Sequence, residues 1–258
     1  MKQRIITGLI LAALALSVIY IGQTALTVGL LLVSLLGVYE IVKICHRPDW
    51  SYIVDVYCLA MSVWLFLGTQ DFFIPAWQEM LFLIGLFTLV VLLEQFKIED
   101  SYLIFTMMIF VLTALRGIAH IRASLGLGAI FFLLFATYGC DTGAYFTGYL
   151  IGKHPLIPRL SPKKTVEGSL GGMILGTLFG VGIAYFFPFG LTLGKATILA
   201  FLLTVTSQIG DLTFSALKRH YQIKDFSNLL PGHGGVLDRI DSLVFNVIVF
   251  SVFYTLFL

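Results

Sequence analysis

Charge is what this sequence has least of. Asp, Glu, Lys and Arg together make up 12% of its 258 residues, against about 25% in a soluble domain. A water-soluble globule could not cover itself with so few polar groups. With 59% of the residues hydrophobic, lipid must be the solvent for much of the chain. Cysteine is scarce as well. Cys45, Cys58 and Cys140 stand far apart with no CxxC pair, which excludes a zinc knuckle and a disulfide framework and leaves them as small apolar fillers. No internal repeat is visible, so the inverted-repeat signature of many transporters is missing. A P-loop is missing too: Gly190-Leu191-Thr192-Leu193-Gly194-Lys195 is one residue short of the pattern. Nothing points to nucleic acid as a partner.

Long apolar runs are what the sequence has instead. A bilayer core ~30 Å thick takes about 20 apolar residues per helix. Candidate spans cover 5–22, 25–42, 52–68, 80–94, 101–116, 124–150, 168–187, 195–217 and 240–257. The reading is an all-α, polytopic transmembrane helical bundle of about nine spans. The first run resembles a signal peptide, but similar runs recur along the chain, so it reads as a retained span. Lys and Arg set the orientation. With the N-terminus cytoplasmic, the inner segments hold thirteen of them: Lys2, Arg4, Lys43, Arg47, Lys97, Lys153, Arg159, Lys163, Lys164, Lys218, Arg219, Lys224 and Arg239. The outer segments hold three, Arg116, Arg122 and Lys195. The 116–122 stretch is the weak point, since two arginines and His120 crowd the outer side there.

The chain divides by polarity. Residues 1–135 read as N-terminal transmembrane helices with short links. Residues 136–258 read as a C-terminal transmembrane catalytic region, because polar residues there sit inside or beside spans and two longer inner loops fall near 151–167 and 218–239. Acids within a membrane are expensive and functional by default. Asp211, Ser215 and then Lys218 or Arg219 share one helical face by three-to-four spacing. Carboxylate and hydroxyl oxygens suit Mg²⁺, and the cations suit phosphate oxygens. Snorkelling basic residues would account for Lys218 and Arg219 but not for the deeper Asp211. Asp141 is a further acid inside a span.

Pro231-Gly232-His233-Gly234-Gly235 brings three glycines around one histidine. Such a turn can take positive φ and expose N–H groups as an anion nest. The helix beginning after it offers its N-terminus to anions as well. Asp238 and Asp241, three apart, project to one side of that helix and would make sense with a divalent cation between them and phosphates. An N-capping Asp238 after a glycine-rich turn is the simpler alternative. Ser161-Pro162-Lys163-Lys164-Thr165 reads alone as a basic flank, and beside the other two stretches as a phosphate-contacting loop. Gly168, Gly172, Gly176 and Gly180 form a small-residue stripe for close helix packing.

The run Ser215-x-x-Lys218-Arg219-x4-Lys224-Asp225-x5-Pro231-Gly232-His233-Gly234-Gly235-x-x-Asp238-Arg239-x-Asp241 closely resembles the signature of the phosphatidate cytidylyltransferases, the CDP-diacylglycerol synthases. Asp141-Thr142-Gly143-Ala144-Tyr145, Ser161-Pro162-Lys163-Lys164-Thr165-Val166-Glu167-Gly168 and Gln208-x-Gly210-Asp211 resemble further hallmarks of that family. The resemblance covers the later part of the chain; residues 1–135 match in hydropathy and size only. It implies that CTP and phosphatidic acid give CDP-diacylglycerol and pyrophosphate with Mg²⁺, one ion or two, in a homodimer at a bacterial-type inner membrane with the site facing the cytoplasm. The expected catalytic residues are Asp211, Asp238, Asp241, Lys218 and Arg219. Substrate is expected at Ser161, Lys163, Lys164, Lys224, His233, Gly234, Gly235 and Arg239. The expected metal ligands are Asp211, Asp238, Asp241 and Ser215, with Asp141 as an addition.

Two rivals are set against this reading. A cation transporter using the same acids predicts inverted repeats and no phosphate-binding cluster, the reverse of what is seen. Another lipid-phosphate transferase is closer. The acidic motif of the CDP-alcohol phosphotransferases has a different spacing and is absent, whereas a dolichol-kinase-like enzyme would share CTP and a lipid acceptor.

Overall fold

A computed structural model of the chain describes residues 2–46, 50–68 and 71–257, with side chains from Thr7 onward. Arg47 lies outside the described residues, as do the side chains of Lys2 and Arg4. Eight α-helices dominate: α1 Lys2–Ile21, α2 Gln23–Cys45, α3 Tyr52–Leu67, α4 Ala76–Leu92, α5 Ile98–Ile151, α6 Val166–Phe186, α7 Leu193–His220 and α8 Leu237–Phe257. Strands β1 (Pro155–Ile157) and β2 (Ser161–Thr165) form a small antiparallel hairpin between α5 and α6. The all-α expectation therefore holds.

Among the described residues, five helices (α2, α5, α6, α7 and α8) are long and apolar enough to cross a bilayer. The apolar parts of α1, α3 and α4 are shorter. Two separately expected spans, 101–116 and 124–150, fall within α5. Its 54 residues would run about 80 Å as one helix, far beyond a bilayer core. The backbone leaves helical geometry at Gly126, where φ is 80° and ψ is −166°, a conformation open to glycine.

Two compact units are formed. One comprises Met1–His120 with Asp225–Arg239, and the other Ile121–Lys224 with Ile240–Leu258.

In the first unit α1 packs on α2, α2 on α3 and α3 on α4. Gly22, with φ 136°, turns the chain between α1 and α2. Ser51 caps α3 by accepting from the Ile53 amide. Arg116, crowded on the outer side by hydropathy, is not an exposed charge. It is buried, and its guanidinium donates to the carbonyls of Leu65 at 2.9 Å and Asp71 at 2.6 Å. A buried guanidinium carries five N–H donors to satisfy, and the end of α3 supplies part of that demand.

The second unit is built on glycine. The stripe at Gly168, Gly172, Gly176 and Gly180 is buried on one face of α6. Gly139, Gly143 and Gly148 on α5 meet it: Gly143 approaches the backbone of Gly171 and Gly172, and Gly148 approaches Gly168. On its other side the stripe reaches α7 at Ala200 and Thr204. A Cβ at Gly176 would come within 2.7 Å of the Ala136 carbonyl and of the Thr204 side chain. Without those side chains the backbones come close enough for dispersion to hold the helices in a solvent that gives no hydrophobic drive. The P-loop look-alike is structural as well. Thr192 caps α7 by accepting from the Lys195 amide, and the Lys195 ammonium donates to the Phe257 carbonyl.

The same substitution should have opposite signs at two positions of α6. Gly176→Ala forces the surrounding backbone apart, costing about 1–3 kcal/mol. Gly182→Ala meets nothing within 4 Å and gains helix propensity, up to about 1 kcal/mol. Thermal unfolding of both variants in detergent should show a lower Tm for the first and an equal or higher Tm for the second.

Candidate active site

Asp211 sits on α7 about two and a half turns before its end, between the buried Gly210 and a mixed stretch leading to Lys218 and Arg219. Ser215, one turn on, donates to its Oδ1 at 3.4 Å. This is the face that the three-to-four spacing predicts. Lys164, from β2, forms an ion pair with Asp211 through its Oδ2. In a strand alternate side chains point to opposite faces. The neighbouring Lys163 is accordingly exposed and does not share that partner. The hairpin that presents Lys164 is secured at its base: Thr165 caps α6 by accepting from the Gly168 amide, and Glu167 accepts from the amides of Lys153 and His154 and bonds the His154 ring.

Asp141 from α5 and Asp241 from α8 join Asp211. The Asp211 charge bears on both of them and the Asp141 charge on Asp241, with Lys164 offsetting at Asp141 and Lys218 at Asp241. Gly210 makes room for α8, since a Cβ there would meet the Asp241 carbonyl at 2.9 Å. Gln208, a turn below Asp211, donates from Nε2 to the Ser169 carbonyl and accepts from the Ser169 hydroxyl, bracing α7 against α6. So the second unit brings together Asp141, Lys164, Asp211, Ser215, Lys218 and Asp241. Ser161 pairs across the hairpin with Ile157, and Arg219 and Lys224 are exposed.

The first unit holds the glycine-rich turn. Gly232 and Gly234 take φ of 76° and 80°, as the motif requires. Asp238 accepts through Oδ2 from the amides of Gly235 and Phe226, both at 2.9 Å, so this oxygen holds the loop to the start of α8. Arg239 donates from Nε to the His233 carbonyl. The His233 ring lies against Gly8 of α1, with its Nδ1 buried and without a hydrogen-bond partner among the described residues.

The expectation of an open anion site at the N-terminus of α8 is corrected. Glu40, fully buried on α2, already fills it. One carboxylate oxygen accepts from the Val236 amide at 2.8 Å and from the Ser227 hydroxyl at 2.6 Å, and the other accepts from the Leu237 amide at 2.8 Å. A helix N-terminus favours an anion, and here the chain supplies its own. Gly235 leaves the space, since a Cβ on it would lie 2.5 Å from Glu40 Oε1. Sequence reasoning missed Glu40 because it took residues 1–135 as plain spans. A lone carboxylate in the otherwise apolar Leu30–Ile41 run was the available signal.

The sequence pattern of the cytidylyltransferase family matches residues 2–257. The chain belongs to that family. A phosphatidate cytidylyltransferase of Bacillus subtilis (strain 168) is 33% identical over 257 residues, covering 95% of this chain and 94% of the relative. Those of Staphylococcus haemolyticus (42% over 120 residues, 46% of each chain) and Mycobacterium leprae (42% over 131 residues, 51% of this chain and 42% of the relative) match over about half of the chain. Family membership makes the chain a nucleotidyltransferase and directs attention to the motif acids in the second unit.

Glu40→Gln tests the clamp at near-constant volume. One amide N–H₂ then faces a backbone or hydroxyl donor, and a buried donor left unsatisfied costs about 1–3 kcal/mol. The expected result is a lower Tm and faster limited proteolysis within residues 225–236. Unchanged cleavage of that loop would mean that Glu40 does not hold it.

Proposed function

We propose that this chain is a phosphatidate cytidylyltransferase, converting CTP and phosphatidic acid to CDP-diacylglycerol and pyrophosphate. The observation that carries the reading is the gathering of the three motif carboxylates Asp141, Asp211 and Asp241 with Lys164 in one compact unit, in a chain similar over nearly its whole length to an enzyme of that name.

The chemistry asks little of a general base. The phosphate monoester of the lipid is already largely ionised at neutral pH, with a second pKa ≈ 6. One of its oxygens attacks the α-phosphorus of CTP, the bond from that phosphorus to the bridging oxygen breaks, and pyrophosphate leaves with the electron pair. The obstacle is repulsion between two anions, so catalysis is positioning and electrostatic relief. Lys164 and Lys218, with Arg219, Lys163 and Lys224 at the exposed margin, are the cations for phosphate oxygens. Ser161 and the turn of His233, Gly234 and Gly235 are carried over from the motif as further substrate contacts, with Arg239 bracing that turn.

Three carboxylates against two lysines, Lys164 and Lys218, leave an excess of negative charge that would repel a triphosphate. That donor set fits a hard cation. Among the described residues no three His, Cys, Asp or Glu side chains form a ready cage, and Mg²⁺ does not need one. It keeps several waters and binds through one or two carboxylates together with substrate phosphates. Asp211 and Asp241 would hold it, with Ser215 and Asp141 beside them and Asp238 carried over from the motif. One ion or two can be served by this set. Bound there, Mg²⁺ supplies charge neutralisation on the triphosphate.

The site is assigned to the cytoplasmic face of a bacterial inner membrane, in a chain of about nine spans with a cytoplasmic N-terminus. The thirteen-to-three distribution of Lys and Arg supports this placement. CTP arrives from the cytosol and the lipid enters sideways from the bilayer. A homodimer is part of the proposal, by resemblance.

Purified protein in detergent, given labelled CTP, Mg²⁺ and phosphatidic acid, should form CDP-diacylglycerol. Product with a polyprenol but not with phosphatidic acid would overturn this choice in favour of a lipid kinase. Asp238→Asn should abolish turnover at an almost unchanged Tm, because an amide oxygen can still accept from Gly235 and Phe226 while the charge is gone. Retained turnover removes Asp238 from the metal set.

A further inference from the structure

The three acid-bearing helices are tied together a level deeper in the second unit, by a residue that no motif includes. Asn246 on α8 is fully buried, and its amide reaches two other helices. Its Nδ2 donates to Thr137 Oγ1 on α5 at 2.7 Å, and Thr206 Oγ1 on α7 donates to its Oδ1 at 2.6 Å. Thr137 passes the chain on by donating to the Leu133 carbonyl at 2.7 Å. Each member of this trio stands close in sequence to one of the acids. Thr137 is one turn before Asp141 on the same face of α5, Thr206 is five residues before Asp211, and Asn246 is five residues after Asp241.

Apolar contacts alone would let these helices slide. A leucine at 246 would pack nearly as well with α8 moved by one residue, a rise of about 1.5 Å. An amide cannot tolerate that shift. Hydrogen bonds are directional and reach about 3 Å, and in apolar surroundings no water replaces a lost partner. Asn246 therefore has one height at which both of its ends are satisfied.

We propose that Asn246 is a positioning residue, whose amide sets the height of α8 against α5 and α7 and thereby the mutual spacing of Asp141, Asp211 and Asp241. Its bearing on catalysis rests on the cytidylyltransferase reading; its bearing on the geometry of the acids does not.

The test reads that geometry without activity. Lys164 pairs with Asp211, so its reaction with an amine-directed acylating reagent, followed by mass spectrometry on the full chain in detergent, reports whether the pair is held. Asn246→Leu should raise the rate at Lys164 roughly threefold or more, the size of a typical coupling between neighbouring sites. Gly128→Ala, strained against the Phe187 carbonyl in the same unit but nine residues before Thr137, should not. Should Asn246→Leu fail to fold, the near-isosteric Thr206→Val removes one of the two bonds and should give a smaller rise. Wild-type labelling rates in the folded Asn246→Leu or Thr206→Val protein overturn the proposal, as does an equal rise in Gly128→Ala. Mn²⁺ binding, followed by electron paramagnetic resonance, separates the two readings. It should weaken about tenfold in Asn246→Leu. A wild-type chain that binds no Mn²⁺ would overturn the metal assignment and leave the labelling result to decide the positioning role.

Discussion

Asp141, Asp211 and Asp241 repel one another, and the second unit is organised around holding them together regardless. Like charges that act on one another in a medium poorer than water cannot be left to find their own distance. The opposing forces come from three directions. Lys164 is brought to Asp211 by a hairpin whose base is fixed by Thr165 and Glu167. Gln208 braces α7 against α6. Below both, glycine faces of α5 and α6 meet backbone to backbone, which makes the scaffold too closely packed to relax outward. An arrangement that is repulsive by itself is thus restrained by its surroundings.

The first unit solves the reverse problem. There one carboxylate, Glu40, has been buried outright, and what it needs is donors. The start of α8 provides two amides and the adjoining loop a hydroxyl. Asp238 does the same for the other side of the turn with one of its oxygens. The glycines of this motif thus have two distinct physical duties. Gly232 and Gly234 supply backbone conformations that a side chain would strain, while Gly235 supplies the space into which Glu40 fits.

Several features are legible in the sequence alone. The scarcity of charge and the run lengths implied an all-helical membrane protein. The four-residue period of Gly168, Gly172, Gly176 and Gly180 implied a packing face, and it is one. The spacing of Asp211 and Ser215 implied a shared face, and the two are bonded. The partner stripe on α5 was harder to see, because Gly139, Gly143 and Gly148 do not keep one period. Arg116 looked like a misplaced outer charge because hydropathy counts a guanidinium as exposed; its carbonyl partners lie 45 and 51 residues away in sequence.

Composition, periodicity and motif spacing by themselves determined the solvent of this protein, the class of its elements and its family, since each of these is written in residues close together along the chain. Tertiary structure alone decided which of two adjacent lysines meets Asp211, that the N-terminus of α8 is filled from within by Glu40, and that Asn246 ties the acid-bearing helices together. Those depend on partners tens to hundreds of residues apart. Only the packed backbone brings such residues to hydrogen-bonding distance.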